Sequence, residues 1–275
     1  MVKMGNVWDR TAEFLSDNVG AILPIALLAF FVPASIEGNF EAARLGAGPG
    51  LGLLLALLQL AFAVLAVWGS LVITAMALGL QGSAWRTALR RLPATILVAI
   101  AMLVAVILLS APILGVMAAA GYDFTAVQQV ETIDLAPSTL MAIGIYGLVL
   151  LGVLIWIGAR MIVMTPVIVG ENRMFGAIAR SWRLTRGAGL RILGVLILFV
   201  VIYFVAAVAA KTVFGSIFAL VAGGEGEGVS LAGVLTSIVE GAVQAAFSVL
   251  MPAFAAKLYL ALTGEAGLRS ASVPA

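Results

Sequence analysis

Cysteine and histidine are both absent from the 275 residues. The lack of cysteine excludes disulfides, thiolate catalysis and cysteine metal sites. The lack of histidine removes the Ser-His and Cys-His nucleophile pairs, the usual zinc sites and the commonest general base near neutral pH. Charge is scarce as well, at 10% of the residues. No acids fall at a spacing that matches a loop with defined cation ligands, so Asp123, Glu131 and Asp134 read as solvated loop acids. The glycines of GLQGS and AGGEGEG follow no strand and are joined by no P-loop lysine. No catalytic residue, metal, cofactor or nucleic-acid partner is expected, and the chain reads as a non-enzyme.

What is abundant is apolar surface, with 63% hydrophobic residues and a mean hydropathy of +1.19. That is far outside the usage of a soluble globular domain. The apolar runs cover about 19–36, 51–80, 92–118, 140–169, 190–222 and 229–263. Each has the roughly 18 residues or more that a hydrocarbon core about 30 Å thick requires. The expected fold is all-α, a polytopic bundle of six transmembrane helices forming one integral membrane domain over 1–275. Pro24, Pro33, Pro112, Pro166 and Pro252 fall inside these runs and should bend their helices.

Thirteen of the fifteen basic residues lie on the side of the N-terminal segment, the 81–91 and 170–191 connections and the C-terminus, leaving Arg44 and Lys211 on the other. By the positive-inside rule both termini are expected to be cytoplasmic. Val32-Pro33-Ala34 loosely resembles a processing site, but the segment before the first run is long and carries Asp9, Glu13 and Asp17, unlike the short basic start of a signal peptide. A retained first helix is the better reading.

The runs pair, and each pair opens on a short amphipathic segment led by an aromatic: Val7-Trp8, Ala84-Trp85 and Met174-Phe175. Three degenerate repeats of interfacial helix plus helix pair are therefore expected. In the third, Met174, Phe175, Ile178, Ala179, Trp182 and Thr185 share one arc of a helical wheel, and Arg173, Arg180 and Arg183 another. Phe175, Arg180, Trp182, Arg183 and Arg186 are the expected membrane-interface residues, with aromatics in the acyl boundary and guanidinium groups at anionic lipid headgroups. Each basic residue near an anionic leaflet adds about 1 kcal/mol. The same arginines also satisfy the topology rule with no further role.

Ionisable residues inside a membrane are costly and raise a functional question. Arg160, Lys211, Glu240 and Gln244 are the candidates, with Glu240, Gln244 and Ser248 four residues apart on one helix face. Such a stripe either lines a substrate path or joins helices by hydrogen bonds. Lys211 lies ten residues below Val221 and Glu240 eleven below Val229. Both depths are about 15 Å at 1.5 Å per residue, so an ion pair between these antiparallel neighbours is expected. EAARLGAGPG has the look of the loop by which ABC-importer permeases engage their ATPase, but Ala47 replaces its glycine and the charge rule places it outside.

The stretch RMIVMTPVIVGENRMFGAIARSWRLTRG resembles the membrane domain of bacterial glycerophosphoryl diester phosphodiesterases and its stand-alone six-helix relatives. The likeness rests on Arg160, Pro166, Glu171, Ala177, Arg180-Ser181-Trp182, Leu184-Thr185 and Gly187. The opening VWDRTAEFLSDNVGAILPIALL is similar to that family's start. In fused members the hydrolytic chemistry belongs to a separate soluble barrel, which is not expected here. The resemblance does not supply what such a membrane domain does by itself; the first expectation is a non-enzymatic protein of a bacterial inner membrane, acting as a scaffold, a module interacting with membrane lipids or the partner of an envelope protein. The alternative is a small transporter or permease subunit, with the Glu240 face lining a path.

Overall fold

The computed structural model describes residues 2–38, 48–119, 136–222 and 231–271. Arg44, Glu41, Asp123, Glu131, Asp134, Glu225, Glu227 and most of the EAARLGAGPG segment lie outside them. All regular structure among the described residues is helical. A short amphipathic helix, α1 (Met4–Asp17), precedes the first span, α2 (Val19–Glu37). The second and third spans are α3 (Pro49–Ala77) and α4 (Ala84–Ala119). The fourth is divided into α5 (Pro137–Met161) and α6 (Met164–Glu171), and α7 (Gly176–Leu184) leads into the fifth, α8 (Gly189–Val221). The sixth span begins α9 (Leu231–Ala271). Six helical stretches are long and apolar enough to cross a membrane, so this is a multi-pass membrane protein.

Local chemistry places the interruptions. Pro166 has no N–H to offer the carbonyl four residues back, and the fourth span breaks at Ile162 and Val163. Between Pro24 and Pro33 the ladder of α2 widens into a π turn at Leu27–Phe31, and α8 has another at Ala210–Phe214. Pro112 and Pro252 stay within continuous helices. Tyr146 Oη donates to the carbonyl of Leu109 at 2.6 Å, one turn before Pro112, where the ring disturbs the ladder. The end of α3 is closed by Gly79 at φ 90°, with Leu80 N–H on Ala75 O and Gly79 N–H on Met76 O.

The sixth span is the hub. Of its most apolar window 39% is buried, against 6% or less in spans two to five, and it packs on α1, α2, α3, α6 and α8. Close approach depends on glycine: a Cβ at Gly69 would stand 2.6 Å from Ala29 Cβ, and one at Gly241 would stand 2.5 Å from Ser35 Oγ. Ser237 Oγ donates to Ser35 O at 3.1 Å across the same seam.

Burial is uneven along the bundle normal. The third span buries Ala84, Ala88, Thr95 and Val98, and the fourth buries Ala159, Val163 and 166–169, all toward the end that carries α1 and α7. The other halves present Leu103, Leu108, Leu148 and Val149 outward, as lipid contact requires. We call the packed end the basic face, because α1, the 78–83 turn and α7 all lie there.

The expected repeats are only partly legible in the elements. Copies one and three have a separate amphipathic helix, but in the second the Ala84-Trp85 segment runs unbroken into α4. At 36 residues, α4 is about 54 Å long, so its first turns, with Arg86 and Arg90, extend past a hydrocarbon core of about 30 Å.

Candidate functional site

At the basic face the break in the fourth span presents Arg160 to α7. Ser181 Oγ donates to the carbonyl of Arg160 at 2.7 Å, and Arg160 Nη1 donates to the carbonyl of Thr185 at 2.8 Å. The guanidinium carbon lies 5.1 Å from the ring centre of Trp156 and 5.5 Å from that of Trp182, and the two indoles meet edge to face at 4.9 Å. Gly189 makes room, since a Cβ there would stand 3.1 Å from Arg160 Cζ. Arg160, Ser181, Trp182 and Thr185, all singled out from sequence, therefore form one assembly. Trp156 and Gly189 complete it and carried no sequence signal beyond an apolar run and a small residue.

Glu171 ties a second knot. Its carboxylate accepts from Arg180 Nε at 2.8 Å, Arg173 Nε at 2.9 Å and Tyr259 Oη at 3.1 Å. The end of the fourth span, α7 and the sixth span are thereby joined at one side chain. A third tie is Lys257, whose Nζ donates to the carbonyl of Ala77 at 3.0 Å and lies 4.7 Å from the ring centre of Phe14. A cation at that carbonyl complements the C-terminal end of α3.

These contacts turn α7 relative to the sequence expectation. Ala177, Ser181 and Thr185 are the buried positions, whereas Thr185 was expected on the lipid-facing arc and Ala177 and Ser181 were not part of it; Ala179 is exposed, as that arc requires. Packing on the third and fourth spans, through Val98, Val167 and Ile168, sets the rotation. Phe175 and Trp182 remain 48% and 37% exposed on its flanks, with Arg183 and Arg186 exposed beside them. Arg180 is bound to Glu171.

The expected Lys211–Glu240 ion pair is not formed. The fifth and sixth spans are neighbours, as their short connection requires, but Lys211 is exposed and Glu240 Oε1 is buried without a hydrogen-bond partner among the described residues. The π turn Ala210–Phe214 contains Lys211 and shifts the helix off the ideal wheel.

Gln244 and Ser248 do reach a shared space. A cavity of about 610 Å³ lies between the first, second and sixth spans, bounded at its basic-face end by the third and fourth. Glu37 lines it from α2, Gln59, Ser70 and Thr74 from α3, and Gln244 and Ser248 from α9. Thr95 and Thr165 stand at the basic-face end, while Phe30 and Phe62 supply aromatic wall. Glu240 is not among the lining residues. The α9 share of this lining was marked by its four-residue spacing; Ser70 and Thr74 repeat that spacing on α3 and were missed, and Gln59 is a lone polar residue in an apolar run. Among the described residues no three acidic side chains converge as a metal site. Comparison with family models, curated proteins and solved structures finds no match.

Proposed function

We propose that this multi-pass protein is a non-enzymatic module of a bacterial inner membrane that holds an amphiphilic small molecule within its bundle. The cavity of about 610 Å³ carries this reading. Its size falls within the roughly 300–1,000 Å³ of small-molecule sites, and a mostly apolar wall with a few convergent polar groups is their usual lining. Polar side chains facing a common space inside a membrane have a cost that a bound polar group offsets. The exposed Phe175, Trp182, Arg183 and Arg186 support contact of the basic face with anionic headgroups, and the positive-inside rule orients that face to the cytoplasm.

A transport role is the second reading, favoured by the length of the cavity. Its lining on α3 runs from Gln59 to Thr74, about 22 Å along the helix axis and most of a hydrocarbon core.

Native mass spectrometry of the mildly solubilised protein tests the main reading. The wild type should carry a co-purified small molecule or lipid, and Ala66→Trp, which projects an indole from the cavity wall, should release it. Identical adducts on both proteins would refute a cavity-held ligand. Saturable uptake into proteoliposomes would move the conclusion to transport.

A further inference from the structure

We infer that the cavity between the first, second and sixth spans selects a compact organic cation. This rests on the proposal that the cavity holds a small molecule, and adds the sign and shape of what it holds. Glu37 is the only ionisable residue on the lining, and no lysine or arginine joins it among the described residues. Among the described residues an anion entering there would meet no countercharge, whereas a cation would meet a carboxylate.

Hydrogen-bond accounting points the same way. Thr74 Oγ1 donates to Ser70 O at 2.8 Å and Thr95 Oγ1 donates to Arg91 O at 3.0 Å. With its donor committed within its own helix, the Thr95 hydroxyl offers the cavity lone pairs alone, while Thr74 is fully buried. The serines and carboxamides both donate and accept, so they do not decide the sign. Phe30 and Phe62 add ring faces, which attract cations and not anions.

The distribution of polar groups decides the shape. Glu37 closes α2 at the end opposite the basic face, as a lipid headgroup site would. Below it, however, an acyl tail would run past Gln244 and Ser248 and offer them no hydrogen bond. A compact cation with an apolar body leaves room for water at those groups.

Tetraphenylphosphonium and its anionic isostere tetraphenylborate provide the test, titrated against the full chain in phosphatidylcholine nanodiscs. The phosphonium should bind saturably, at least tenfold more weakly to Glu37→Gln, with Glu37→Asp restoring most of the affinity. Tetraphenylborate should show no saturable site. Variants are compared only where gel-filtration elution and helical circular dichroism match the wild type. If both ions bind the wild type equally and Ala66→Trp abolishes both, the cavity holds ligands and the inferred charge preference is wrong. If phosphonium binding ignores Glu37→Gln, the inference is overturned. If Ala66→Trp changes nothing, the cavity reading itself falls. Displacement of the phosphonium by phosphatidylethanolamine in the nanodisc would assign the site to an amine headgroup and overturn the compact cation.

Discussion

Removing the Glu171 carboxylate should loosen the basic face, and its three donors should lose unequally. Arg180 Nε sits 2.8 Å from Oε1, with the arginine 31% and the glutamate 17% exposed. A charge-assisted bond of that kind contributes about 1.5 kcal/mol after discounting for solvent. Arg173 is equally close at 2.9 Å but 50% exposed, so its pair should contribute about 0.5 kcal/mol or less. The Tyr259 hydroxyl, at 3.1 Å, adds about 1 kcal/mol. The assay is a set of double-mutant cycles, Glu171→Gln with Arg180→Met, Arg173→Met or Tyr259→Phe, in reversible mixed-micelle unfolding. Coupling should rank Arg180, then Tyr259, then Arg173. Added salt should erase the Arg173 coupling first, because exposed pairs are screened most. A coupling for Arg173 equal to or above that of Arg180 would refute the use of burial to rank these contacts.

Gly69→Ala brings a methyl to 2.6 Å from Ala29 Cβ and should cost about 1–3 kcal/mol, while Gly152→Ala, with nothing within 4 Å, should be neutral or stabilising in the same unfolding assay. Arg160→Lys loses the planar stack on Trp156 and Trp182 and should destabilise by about 1–2 kcal/mol, accompanied by a change in tryptophan emission; unchanged emission would count against the stack. Lys211→Met and Glu240→Gln should be additive, and a coupling above about 1 kcal/mol would restore the ion pair. Reporter fusions at Gly187 and Gly223 should read cytoplasmic and external respectively, and a reversed pattern would overturn the orientation.

Span number and approximate limits were legible because membrane crossing depends on uninterrupted apolar length, a property local to the chain. A bend near Pro166 was legible for a similar reason, since a missing N–H acts on its own turn, but nothing local set it apart from Pro112 and Pro252, which stay within continuous helices. The residues around Arg160 were marked in the sequence by a cluster of unlike side chains in an apolar context. Their partners Trp156 and Gly189 were not, because an aromatic and a glycine within such runs look like their neighbours.

How many times the chain crosses, where it turns and which face collects the basic charge thus follow from residue order alone. How each helix is rotated about its axis follows instead from packing. Lys211 and Glu240 have matched depth, which counting residues supplies, but facing directions depend on a π turn at Ala210–Phe214 that no wheel includes. The rotation of α7 was likewise set by what it packs against, Val98, Val167 and Ile168. The cavity required both the rotations and the neighbours, because Glu37, Gln59 and Gln244 come from three spans far apart in the chain. Hydropathy is carried by each segment alone, whereas a shared space exists only once several segments have packed.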